Sequence, residues 1–243
     1  MKAMKRRYIM TVLCAGAAAA AALWCSSQSI GTAAAKYAAA PLKTTADKMT
    51  VVVDAGHGGM DGGCVSVNGV AEKGINLAIA ESERDLLTVM GFEPVLTRDR
   101  DISIYDQGVE GLGEQKKSDM KNRLAIINEA ENGIALSIHQ NQFTDSKYSG
   151  AQMFYSRRNH SGEMLAAAMQ KQFVSLLQPD NERETKPVDD ELYLLDQTDT
   201  PAVMIECGFL SNPEEAALLE SSDYQKKVAF TVLTGVIEFK TRN

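Results

Sequence analysis

The chain has only three histidines, and two of them stand where a strand-like apolar run stops. The first run, Val51-Val52-Val53, leads through Asp54-Ala55-Gly56 into His57 and the glycine-rich turn Gly58-Gly59-Met60-Asp61-Gly62-Gly63. The second, Ile134-Ala135-Leu136-Ser137-Ile138, ends at His139. Two glutamates belong with them. Glu72 lies fifteen positions beyond His57, at the start of a helical pattern, and Glu206 follows Ala202-Val203-Met204-Ile205. Histidine has no packing advantage at the end of a core strand, whereas imidazole is the commonest zinc donor. Two imidazoles and a carboxylate, with a further carboxylate left over, are the parts of a hydrolytic zinc centre.

Each residue also has an ordinary reading. His57 alone could be a hydrogen-bonded turn residue with Asp54 as its structural partner. A glutamate in the first turn of a helix, as Glu72 is, suits the helix dipole. Glu206 is sharper: flanked by Ile205 and by Cys207-Gly208-Phe209-Leu210, it would be costly to bury unpaired. It should lie near a cation or serve as an acid/base with a raised pKa. His160, in the polar stretch Arg158-Asn159-His160-Ser161, reads as a surface residue, and Cys207 as a small buried one. Other chemistries lack their parts. No Gly-Lys-Ser/Thr follows the glycine turn, and there is neither a His-Glu-x-x-His helix nor a Gly-x-Ser-x-Gly elbow.

Three strands that each deliver a His or Glu at their carboxyl end suit an open α/β sheet, where sites collect along that edge. Ile75, Ala78, Ile79, Ser82, Leu86 and Val89 recur at helical steps and predict an amphipathic helix ending before Gly91. Phe92 to Thr97 reads as a strand that Pro94 places at or near a sheet edge. Asp99 to Lys117 reads as a long loop bordering a substrate groove, followed by a helix from about Asp119 to Glu131. Gly150 to Tyr155 is a further strand, and Ser161 can cap the helix after it. Gln178 to Glu191 reads as a surface excursion and Glu191 to Leu195 as a short strand or turn. Asn212-Pro213-Glu214-Glu215 starts a helix, and a last one runs from about Asp223 to Phe239. Strands alternating with helices imply an α/β fold, a twisted, mostly parallel sheet with helices on both faces.

At 243 residues and 44% hydrophobic content the chain can bury a full core. A net charge of −7 argues against nucleic acid as a partner. The four cysteines form no C-x-x-C pair, which argues against a disulfide framework or a cysteine zinc knuckle. Lys2, Lys5, Arg6 and Arg7 precede an uncharged run from Tyr8 to Cys25, the form of an export signal. Residues 1–35 are read as a signal peptide or an N-terminal membrane anchor, 36–48 as a linker and 49–243 as the catalytic domain. The site is therefore expected to work outside the cytoplasm.

Asp54-Ala55-Gly56-His57-Gly58-Gly59 with Glu72-Lys73, Ser137-Ile138-His139-Gln140-Asn141, and Glu206-Cys207-Gly208-Phe209-Leu210-Ser211-Asn212 resemble, in that order, the zinc-dependent N-acetylmuramoyl-L-alanine amidases. The likeness spans about Met49 to Phe239. It implies a fold similar to zinc carboxypeptidases, Zn²⁺ bound by His57, Glu72 and His139, and Glu206 as the catalytic carboxylate. The implied reaction cuts the amide between N-acetylmuramic acid and L-alanine in peptidoglycan. Ala55 stands where many members have proline. Tyr155-Ser156, Asn181-Glu182-Arg183, Lys186-Pro187 and Cys207 are similar to the sporulation- and germination-specific branch, which works on spore cortex. Two alternatives stay open. A zinc carboxypeptidase would need an arginine clamp, for which Arg98 and Arg123 are candidates. A non-catalytic cell-wall-binding module would be expected to lack Glu206 or a ligand. A protein partner is left open.

Overall fold

The computed structural model describes residues 48–242. The expected signal or anchor, and nearly all of the linker, fall outside the described residues. One sheet of six strands forms the centre: β1 (Thr50–Ala55), β2 (Glu93–Leu96), β3 (Ile134–Asn141), β4 (Gln152–Ser156), β5 (Lys186–Val188) and β6 (Ala202–Phe209). Their order is β2-β1-β3-β6-β4-β5, and every pair is parallel except β4 with β6. The helices are α1 (Glu72–Val89), α2 (Leu112–Asn128), α3 (His160–Leu176), α4 (Tyr193–Asp196), α5 (Pro213–Leu219) and α6 (Ser222–Arg242). The mostly parallel α/β sheet is the one the alternation of elements implied. Its one reversal has a local cause: no crossover helix separates β3 from β4, so the chain returns in the opposite direction.

Side chains alternate along each strand and so sort the sheet into two faces. Val51 and Val53, Leu136 and Ile138, and Val203 and Ile205 build the main core beneath α1, α3 and α6. Val52, Ala135 and Ala202 face the other way, against Ile127 of α2 and Leu194 and Leu195 of α4. Asp54, Ser137, His139 and Glu206 continue this second, more thinly covered face. The strands that carry them, β1, β3 and β6, are neighbours in the sheet. Pro94 lies in β2, an edge strand, where its missing N–H disturbs no ladder.

Several boundaries differ from expectation. The stretch from Asp99 to Lys117 is not loop throughout, because α2 starts at Leu112. Gly111 and Gly113 hide that start, whereas the Lys117–Glu114 pair at 2.7 Å is helical in spacing. The remaining loop is tied to the glycine turn: Gly59 N donates to Asp101 Oδ1 at 2.8 Å and Ser103 Oγ to Gly58 O at 2.7 Å. Asn159, not Ser161, caps α3, accepting from Gly162 N at 2.9 Å. The excursion after Gln178 contains β5, and the element expected at 191–195 is helical from Tyr193.

Candidate active site

The glycine turn is shaped by what it must pack against. Gly56 N still donates to Ile138 O at 3.1 Å, so β1 stays joined to β3 up to the residue before His57. His57 then adopts φ 62°, a left-handed conformation that reverses the chain. A Cβ on Gly56 would lie 2.3 Å from the His139 ring, and one on Gly63 would lie 2.5 Å from Glu72 Oε2 and 2.7 Å from His57 Cδ2. Both glycines are needed because the site side chains fill that space.

The three expected ligands converge. His57 Nε2 lies 3.3 Å from Glu72 Oε2, and His139 Nδ1 lies 3.0 Å from Glu72 Oε1. The two imidazoles meet edge to face with centroids 4.9 Å apart. One donor atom from each of the three residues lies within 4.8 Å of the other two. Glu72 reaches this position because α1 begins on it, and the helix start is fastened to the turn: its carboxylate also accepts from Cys64 N at 2.9 Å, Asn76 Nδ2 at 3.0 Å and Gln140 N at 3.0 Å. Burial opposes its charge, but the hydrogen bonds from His139 and His57 prevail and hold the carboxyl far below the usual range. Burial likewise disfavours a charged His57, yet Glu72 and Asp61 raise its pKa. The same two carboxylates would attract a metal cation. An ionised carboxylate and two imidazoles, half-buried and preformed, fit a divalent metal such as zinc.

Glu206 stands apart from this set. It is the cross-strand partner of His139, partly exposed, with its Oε2 sealed from solvent and without a hydrogen-bond partner among the described residues. Burial raises its pKa to about 7, the two histidines pulling it down and the Glu72 charge pushing it up. A carboxyl poised near neutrality can both accept and return a proton.

Other placements correct the sequence reading. Asp54 is not the partner of His57. It accepts from Arg123 Nη1 at 2.6 Å, Ser137 Oγ at 2.6 Å and Thr97 Oγ1 at 2.8 Å. Asp61 takes that place, with Oδ2 3.1 Å from His57 Nδ1 and Oδ1 3.3 Å from Lys116 Nζ. Arg98 and Arg123 cannot form a substrate clamp, being 3% and 1% exposed. Arg98 donates to the carbonyls of Ala55 and Gly56, and Arg123 to those of Ala55 and His57, so together they cradle the start of the turn from beneath. His160 is exposed and, among the described residues, pairs with Glu163 alone, as a surface histidine should. Asp61 is masked in sequence by the turn glycines around it, and its spacing of four from His57 is the signal that marks it.

Residues 51–238 match the family described as N-acetylmuramoyl-L-alanine amidase. The germination-specific N-acetylmuramoyl-L-alanine amidase of Bacillus subtilis (strain 168) is 35% identical over 191 residues, which is 79% of each chain. Among solved structures, the CwlD amidase from Clostridioides difficile in complex with the GerS lipoprotein is 36% identical with a TM-score of 0.78, covering 81% of this chain and 100% of that one. The catalytic domain of CwlV from Bacillus (Paenibacillus) polymyxa var. colistinus is 29% identical with a TM-score of 0.65, covering 79% of this chain and 98% of its own.

Proposed function

The chain belongs to the N-acetylmuramoyl-L-alanine amidase family, and from that membership we propose that His57, Glu72 and His139 hold zinc while Glu206 moves the proton. Its reaction is hydrolysis of the amide that joins N-acetylmuramic acid to L-alanine in peptidoglycan. One observation carries the assignment of roles: three donor atoms lie within 4.8 Å of one another, beside a glutamate whose sealed oxygen has no hydrogen-bond partner among the described residues. A zinc ion, when bound, would polarise the scissile carbonyl and make water a stronger acid. Glu206 accepts the proton of the attacking water and returns it to the departing alanine nitrogen, and its burial, which favours the protonated form, suits it to hold that proton between the two steps. Asp61 engages Nδ1 of His57 and leaves Nε2 turned to the shared centre. Arg98 and Arg123 hold the backbone from which His57 projects.

The likeness to a germination-specific amidase and to CwlD supports a role in spore-cortex peptidoglycan, and a step toward muramic δ-lactam formation is proposed for it there. Residues 1–35 would export the catalytic domain, as a cleaved signal or as a membrane anchor, so that it works outside the cytoplasm. The CwlD structure contains the GerS lipoprotein, and on that likeness a protein partner is proposed for this chain as well. The carboxypeptidase alternative loses its clamp with the burial of Arg98 and Arg123. Retention of all four site residues speaks against a non-catalytic wall-binding module. Mass spectrometry of digested peptidoglycan tests the function. Intact stem peptides with a free L-alanine amine are expected, and release of single amino acids would overturn the reading.

A further inference from the structure

We propose that Arg183 forms a carboxylate-binding subsite beside the reaction centre, taking an acidic group on the peptide arm of the substrate; this rests on the amidase reading above. The β3–β6 register supplies the geometry. His139 opposes Glu206, but Asn141 opposes Phe209, so β6 carries an extra residue between them. Such a bulge re-aims the chain and turns Phe209 to the face that bears Glu206. On the other side of β6, Gln152 of β4 opposes Glu206. Arg183 joins these two neighbours of the catalytic carboxylate. Its Nη1 donates to Gln152 Oε1 at 3.1 Å, its Nε to Ser149 O at 2.8 Å, and its guanidinium carbon lies 4.5 Å from the centre of the Phe209 ring.

The guanidinium is thus fixed in orientation by a carbonyl, an amide and an aromatic face. None of these is an acid, and among the described residues no carboxylate lies within ion-pair distance, although the guanidinium charge reaches the Glu215 carboxyl, where burial raises the pKa and that charge acts against the rise. Arg98 and Arg123, by contrast, are consumed by backbone carbonyls and, for Arg123, by Asp54 and Asp119. Glu215 engages its two oxygens with Phe209 N at 2.7 Å and Gly150 N at 2.9 Å. A cavity of about 650 Å³ opens against Arg183, and its wall carries Lys147, Tyr148 and Asn181 together with the acids Asp180, Glu182 and Glu215. A held, half-buried planar cation at the rim of a cavity is what carboxylate recognition requires. The amide to be cut lies at Glu206, so the peptide arm would run from there over β4.

The test compares two muropeptides that differ only in a carboxylate or a carboxamide on the residue after L-alanine. Zinc-loaded wild-type protein should prefer the carboxylate form by about tenfold or more, expressed in KM, as the loss of a charge-assisted contact implies. Arg183→Met should erase that preference by raising KM for the carboxylate form alone with kcat nearly unchanged, and Arg183→Lys should retain part of it. Equal losses on both substrates would make Arg183 a support for Ser149 and Gln152 and overturn the subsite. The wild-type comparison decides even where the variants fail to fold: hydrolysis of both muropeptides without preference refutes the subsite alone. Hydrolysis of neither refutes the amidase reading with it.

Discussion

His139 and Glu206 stand directly opposite each other across the β3–β6 pair, one an imidazole of the proposed ligand set and the other a carboxylate with a sealed oxygen that has no hydrogen-bond partner among the described residues. Their spacing is set by the register of two buried core strands, not by a loop. A site built on such elements is held more rigidly than one built on turns. The part that does depend on a turn, His57, is braced from three directions by Asp61, Glu72 and the carbonyl contact from Arg123.

Metal binding should separate the histidines. His139→Ala removes an inward-facing donor and should abolish stoichiometric zinc binding, while His160→Ala changes only an exposed residue paired with Glu163 and should bind zinc as before. Metal analysis after gel filtration reads the difference. Equal zinc loss in both variants would contradict the ligand assignment.

Asp61→Asn should weaken zinc binding without removing a ligand. The carboxylate at 3.1 Å from His57 Nδ1 orients the ring and favours donation from Nε2, and losing such a partner costs roughly ten- to a hundredfold in affinity. Competition against a chromophoric chelator measures it. An unchanged affinity would leave Asp61 as a turn residue only.

Asp54 and Arg123 form a buried pair at 2.6 Å that should matter to stability before it matters to chemistry. Asp54→Asn leaves the buried guanidinium with Asp119 as its remaining carboxylate partner, so the cost should stay below the about 3–5 kcal/mol of an uncompensated buried charge. The pair also carries a pH dependence. Burial opposes ionisation of Asp54, but Arg123 and the Ser137 and Thr97 hydroxyls lower its pKa from 3.8 to about 2. A carboxyl lowered on folding stabilises the fold above its unfolded pKa and loses that contribution as pH falls through the folded one. The loss should be about 2 kcal/mol between about pH 4 and pH 2, seen in denaturant titrations. The Asp54→Asn protein should lack that part of the slope; identical slopes would contradict the account.

Three of the four central residues were legible in sequence because each breaks a local rule, whereas Glu72 suits a helix start and stands out only beside the glycine turn and the family resemblance. Two histidines end apolar strands, and a glutamate sits inside Ile205 to Phe209, where an unpaired charge is costly. The order of strands and helices followed from periodicity for the same reason. The supporting residues were not legible. Arg123 and Asp54 are 69 positions apart, and an arginine on a polar helix reads as solvated until the fold buries it. The bulge between Glu206 and Phe209 leaves no mark on composition, because it exists only in the pairing of β3 with β6. β5 was hidden by its brevity and by Pro187, which an edge strand tolerates.

The central claim is that Glu206 moves the proton and does not hold the metal, and Glu206→Gln tests it most directly. The amide keeps the shape and reach of the carboxylate but cannot accept a proton at neutral pH. The variant should bind near-stoichiometric zinc, melt as the parent does, and hydrolyse muropeptides roughly a hundredfold or more slowly. Loss of zinc in that variant would make Glu206 a ligand, and unchanged turnover would remove it from the mechanism.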